Sequence, residues 1–247
     1  MFPGIGTLVN VVTVLIGSVA GVLVGHRLSE KTRDVVTDGL GLVTLLIAAL
    51  SAASISDPAW HRAVGDSAPV LIVLGSLVIG GVIGSVIGIE DRLEGFGGWL
   101  QVRLGGRGAA TRERFIEGYL TASLVFCVGP LTILGALNDG LGNGPDQLFL
   151  KAALDGFASI AFAASLGWGV AASVVSILAI QGSLTVLGVF LGDILPDAEL
   201  AAVTTTGGLM LIGVALRLLR IRQVPVGDLL PALLIAPLLT TLVAAVR

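Results

Sequence analysis

The sequence predicts an all-α fold: a polytopic membrane helical bundle of about eight spans, a single integral membrane domain over residues 1–247 with no soluble domain. Three observations carry that expectation. Hydrophobic residues make up 55% of the chain and charged residues only 13%, with a mean hydropathy of +0.99. A soluble domain carries about 25% charged residues, so this chain has too little polar surface to cover a globule in water. Apolar runs of membrane-spanning length recur from end to end, and the basic residues between them alternate in density.

A hydrocarbon core requires about 20 apolar residues per helix. Candidate spans are residues 7–24, 35–53, 69–89, 115–137, 154–168, 169–191, 200–216 and 229–245. The first could be mistaken for a secretory signal, but it lacks a Lys/Arg-rich start and further spans follow at once, so it reads as a retained helix. The fifth and sixth form one run too long for a single crossing. Gly167-Trp168-Gly169 is the expected break, because paired glycines permit a tight turn.

The charges test that division. Loops after spans one, three and seven hold Arg27, Lys31 and Arg33, then Arg92, Arg103, Arg107, Arg112 and Arg114, then Arg217, Arg220 and Arg222. The other side holds Arg62, Lys151 and Arg247, so eight spans give eleven basic residues inside against three outside, with both termini extracytoplasmic. Residues 90–104 place Leu93, Phe96, Leu100 and Leu104 at helical spacing, either as an interfacial amphipathic helix or as a plain connector. Residues 138–145 are glycine-rich and expected to be irregular.

Several classes of function are disfavoured. A net charge of -3 offers no basic face to nucleic acid. Cys127 is alone, which excludes an intramolecular disulfide and a multi-thiolate metal site, and it reads as a small buried hydrophobe. His26 and His61 fall in expected loops. The chain lacks a Gly-x-Ser-x-Gly elbow, a His-Glu-x-x-His pair and a phosphate-binding glycine loop, so no enzyme activity and no cofactor are expected.

Self-similarity is more informative. Gly25 to Glu30, Val36-Thr37 and Gly41-Leu42 align at one constant offset with Gly192 to Asp197, Val203-Thr204 and Gly208-Leu209. Gly21 then falls on Gly188 and Ala48 on Ala215, placing spans one and two on six and seven. A second match sets Glu117-Gly118-Tyr119, Thr121, Cys127 and Gly129 against Asp155-Gly156-Phe157, Ser159, Ser165 and Gly167. Both pairings join spans of opposite direction, as in the inverted-topology repeats of secondary transporters, whose sites lie near the midplane. Chance alignment of Gly, Ala, Leu and Val is the competing explanation.

An acid inside a span costs at least about 2.5 kcal/mol by insertion scales, which makes Glu117 and Asp155 the leading site candidates. The competing reading puts both in first helical turns, where acids favour the positive dipole end. Gly129-Pro130 and Gly167-Trp168-Gly169 would end two short helices at mid-depth. Their freed carbonyls, with the hydroxyls of Thr121, Ser123, Ser159 and Ser165, would suit a cation of unspecified identity. Asn10 and Gln181 serve either as glue between helices or as part of a polar pathway. Asp38 and Asp228 read as caps. Gly17, Gly21 and Gly25, Gly80, Gly84 and Gly88, and Gly188 and Gly192 mark packing faces within the bundle or between protomers of a homo-oligomer.

Gly6-Thr7-Leu8-Val9-Asn10, Asp38-Gly39-Leu40-Gly41, Glu117 to Ser123, Phe126 to Gly129, Leu154 to Phe157 and Gln181-Gly182-Ser183 together resemble the YdfK/YqgA-type bacterial inner-membrane proteins over nearly the whole chain. Residues 56–67 match no shared motif. The resemblance implies a bacterial inner-membrane location and a family of unknown function for which transport has been suggested. It implies no catalytic residues. The expected function is therefore a transporter or channel for a small solute or ion in the lipid bilayer. The rival is a non-transporting assembly or regulatory protein whose polar residues are structural. A membrane-embedded enzyme would instead need two ionisable groups within hydrogen-bond reach.

Overall fold

In the computed structural model, residues 2–25, 27, 29–104, 109–127, 130–191 and 196–246 are described. The expected break at Gly129, the basic residues Arg107 and Arg247, and the repeat positions His26, Leu28 and 192–195 lie outside them. The described residues form α1 (Ile5–Gly25), α2 (Glu30–Ala52), α3 (Pro58–Val64), α4 (Ala68–Ile87), α5 (Ile89–Leu104) and α6 (Ala109–Cys127). After them come α7 (Pro130–Leu141), α8 (Asp146–Leu166), α9 (Gly169–Ala172), α10 (Val174–Leu191), α11 (Asp197–Leu218) and α12 (Ala232–Val246). Short 3-10 turns occupy Ala53–Ser56 and Val226–Leu229.

Among the described residues, seven helical stretches are long and apolar enough to cross a membrane. An eighth crossing exists if Arg112–Cys127 and Leu131–Leu141, bent by 76°, count as one. The chain is thus an all-α polytopic bundle, as its composition requires. The break expected at Gly167-Trp168-Gly169 is where α8 stops: Gly167 adopts φ +80°, a left-handed backbone that favours glycine, and its N–H bonds the Ala163 carbonyl.

Two boundaries differ from the sequence expectation. Residues 138–141 are the last turn of α7, leaving only 142–145 irregular. The fifth crossing begins at Asp146 rather than residue 154, so Lys151 lies inside a helix and not in an outer loop. A hydropathy window excludes a polar first turn that the backbone hydrogen bonds of a helix include. Asp38 is exposed in the interior of α2 and caps nothing.

The chain divides into two compact units. Unit 1 comprises Met1–Leu40 and Glu94–Asp193. Its principal contact is α1 against α8. Gly6 meets Leu148, Gly17 meets Gly156 and Ser159, Gly21 meets Ile160 and Gly25 meets Ala164, so the two helices run parallel. A Cβ on Gly17 would stand 2.4 Å from the Gly156 carbonyl oxygen, and one on Gly21 2.2 Å from that of Ile160. Without side chains there, the backbones approach as closely as small-residue membrane interfaces allow. Gly140 and Gly188 do the same for α7 and α10. These glycine faces are filled by the chain's own helices. Of the two expected uses, packing within the bundle is the one these glycines serve.

Unit 2 comprises Gly41–Leu93 and Ile194–Arg247. Gly80 and Gly84 of α4 meet Ala232 and Asp228 at the start of α12. Gly88 packs on no helix; at φ +66° it is the left-handed cap of α4. Gly41 on α2 faces Leu218 and Leu219, while Gly208 on α11 faces Ser51 and Ala52. A half-buried ion pair joins Arg217 to Glu90, whose carboxylate also accepts from the Gly227 N–H at 2.6 Å. Asp228 caps α5 rather than its own helix, accepting from the Glu90 N–H at 2.9 Å.

The glycine contacts yield a direct test. Gly17→Val should lower stability by about 1–3 kcal/mol through overpacking, read as a reduced thermal midpoint in detergent. Gly182→Ala, where an added Cβ meets nothing within 4 Å, should leave the midpoint unchanged or raise it.

Candidate functional site

Asp155 is the centre of the polar structure of unit 1. It sits midway along the 21-residue α8, not in a first turn, so the helix-end explanation for its charge does not hold. Lys151 precedes it by one turn, a spacing that puts both side chains on one helix face. Its ammonium donates to Asp155 Oδ2 at 2.5 Å, and both residues are buried, with 6% and 7% of their surface exposed. Across the glycine seam, Asn10 of α1 donates its Nδ2 to the same oxygen at 3.0 Å. Asn10 is fully buried, and its Oδ1 has no partner among the described residues.

The pair is electrically neutral as a unit, which is how a carboxylate persists among apolar helices. Removing either partner would strand a buried charge, whereas the intact pair retains strong mutual attraction in a medium of low polarisability. Nearby on α7, Asp139 is buried and accepts from the Gly4 and Gly6 N–H groups at 3.0 and 3.2 Å. It caps α1 and fixes the end of the helix that carries Asn10.

The other expected site residues are distributed differently. Glu117 is exposed on α6, so the acid that matches Asp155 in the alignment does not share its environment. Thr121 is buried on the same helix. Ser123 donates to Ser176 Oγ at 2.9 Å, and the Tyr119 hydroxyl lies 3.0 Å from that oxygen, making a hydroxyl cluster between α6 and α10. Ser159 bonds its own helix at the Gly156 carbonyl and packs against Gly17. The Ser165 carbonyl, expected to be free for a cation, accepts from Arg114 Nε at 2.7 Å, while Ala164 accepts from the same guanidinium. A cationic side chain at a helix C-terminus satisfies both the orphan carbonyls and the dipole.

Gln181 on α10 is fully buried, and among the described residues neither its Nε2 nor its Oε1 has a partner. Thr185, one turn on, and Thr7 and Ser18 of α1 also bury unpartnered hydroxyls. Sequence reasoning missed Lys151 and Asp139. The i to i+4 spacing of Lys151 and Asp155 was a usable signal, concealed by starting the span at residue 154.

The family model for a protein of unknown function, DUF554, matches residues 5–241. The chain is 27% identical over 240 residues to the "Uncharacterized membrane protein YdfK" of Bacillus subtilis (strain 168), covering 97% of each chain. It is 30% identical over 233 residues to the "Uncharacterized protein YqgA" of Escherichia coli (strain K12), covering 94% of each. No solved structure matches. A match over nearly the whole chain, by a family model and by both relatives, makes this multi-pass membrane protein a member of the DUF554 family.

Proposed function

We propose that the protein is a transporter or channel for a small ion, working from the polar site of unit 1. The observation that supports this best is the buried Lys151–Asp155 pair of α8, with Asn10 of α1 donating to the same Asp155 oxygen, inside two membrane-spanning helices. Ionisable groups at such depth are costly and mark ion or proton paths. The pair is also a two-state element. A cation or proton taken up by Asp155 displaces Lys151, and return of the ammonium expels it. Gln181, Thr185, Thr7 and Ser18 offer further neutral donors and acceptors on α10 and α1 of the same unit. Glu117, being exposed, contributes attraction at most.

Two further features fit this reading. The Gly41 and Gly208 contacts are reciprocal: each glycine meets the pair of residues that the repeat offset assigns to the other's helix. That supports an inverted pseudo-two-fold relation of α2 and α11. The basic residues support an inner-membrane orientation with both termini outside, and burying Lys151 strengthens the asymmetry. The reading assigns no catalytic role and no cofactor.

One observation favours the rival, a non-transporting assembly protein. Asp155 is satisfied by two donors across a tightly packed seam, as a structural pin would be. Flux separates the two. In proteoliposomes, sodium, potassium and proton fluxes should exceed those of empty vesicles for at least one cation. Asp155→Asn should reduce that flux at least about tenfold, equivalent to about 1.4 kcal/mol of barrier. Background flux for all three cations, or equal flux in the variant, would leave the pin reading. A second measurement weighs the pair itself. Lys151→Met should cost about 3–5 kcal/mol of stability by stranding Asp155, and Lys151→Met with Asp155→Leu should recover most of it, as read from unfolding in detergent.

A further inference from the structure

We propose that Glu199 in unit 2 binds a small monovalent cation, a proton or a sodium ion, at a site independent of Asp155. Glu199 lies in the first turn of α11 yet is only 9% exposed. Its Oε1 accepts from the Thr241 hydroxyl of α12 at 2.9 Å, while Oε2 is buried without a partner among the described residues. A carboxylate oxygen withdrawn from water and left unfilled is unfavourable as a bare anion, and a small cation held there would fill it.

The surrounding elements supply no such charge. Packed against α11 are α2, through Gly41 and Gly208, together with α3, α4, α12 and the two 3-10 turns. The titratable residues of α2 (Glu30, Lys31, Arg33, Asp34 and Asp38) all precede Gly41, which meets Leu218 and Leu219 at the end of α11 away from Glu199. Neither α4 nor α12 carries a titratable residue. On α3, His61 is held by Asp66 and the Ile55 carbonyl, and Arg62 is exposed. Asp57 caps α3, Asp228 caps α5, Asp197 is exposed, and Arg217 pairs with Glu90. Among the described residues, none of these bases forms an ion pair with Glu199.

A second set of unfilled groups lies on α11 and the elements packed around Glu199. Trp60 is fully buried in one cluster with Ala198, Ala201 and Ala202, the residues flanking Glu199, and its indole N–H has no acceptor. Thr205 and Thr206 bury unpartnered hydroxyls further along α11. Thr206 shares the Glu199 stripe but lies about 10 Å along the axis, so it extends a polar track and does not complete one coordination shell. Carboxylate and hydroxyl oxygens are hard ligands, and a water carried by the cation would accept the indole hydrogen.

The test uses the full chain purified in detergent and dicyclohexylcarbodiimide, which modifies protonated carboxyl groups in apolar surroundings, with modification mapped by peptide mass spectrometry. Across a pH series at constant ionic strength, Glu199 should be modified and lose modification as pH rises. Additional loss on adding sodium identifies that ion as a ligand, and indifference to sodium identifies the proton alone. Absence of modification at every pH, without sodium, overturns the proposal. Thermal midpoints provide the second readout. Glu199→Gln keeps an acceptor for Thr241, so a purely structural role would leave its midpoint as responsive to pH and sodium as that of the wild type. The proposal requires that response to shrink, and equal responses overturn it.

Discussion

Close approach of α1 and α8 is the condition on which the polar interior of unit 1 depends. Lipid tails are as apolar as leucine, so no hydrophobic drive brings membrane helices together, and contact must be gained by packing and hydrogen bonds. Gly17, Gly21 and Gly25 remove the side chains that would hold the backbones apart. Only at that separation can the short Asn10 side chain reach Asp155. The seam and the site are therefore one structure: packing creates the distance, and the hydrogen bond uses it.

Electrostatic compensation then sorts the buried polar groups into two kinds. Asp155 has its charge matched by Lys151 and its geometry held by Asn10, and the N–H groups at the start of α1 are matched by Asp139. Gln181, Thr185 and, in the other unit, Glu199 are buried but incompletely filled. In an interior where water is scarce, a filled group is stabilising in place and an unfilled one is a standing attraction for something small and polar. The balance between these kinds distinguishes this bundle from one that only spans the bilayer.

Helix ends follow the same accounting. Expectation placed free carbonyls at the end of α8, ready for a cation, yet Arg114 occupies them from α6. At the other unit's helix ends, Asp228 caps α5 and Glu90 pairs with Arg217. Charged side chains at the ends and neutral or paired groups within the spans are the arrangement that a low-dielectric slab imposes.

The membrane class, the break at Gly167, the placing of Asp155 and Asn10 inside spans and the glycine stripes were legible in the sequence. These depend on local composition and on the period of a helix, which a linear pattern carries. The expected eight crossings, by contrast, are seven qualifying stretches among the described residues, and eight only if the bent pair counts as one. Partnership was not legible. Lys151 looked like a loop residue because hydropathy measures apolarity and not backbone hydrogen bonding. Glu117 looked equivalent to Asp155 because an alignment compares residue types and not the faces they present. Which carboxylate is buried, which base meets it and which carbonyl is already taken are decided by helix rotation and separation, and those exist only once the helices have packed.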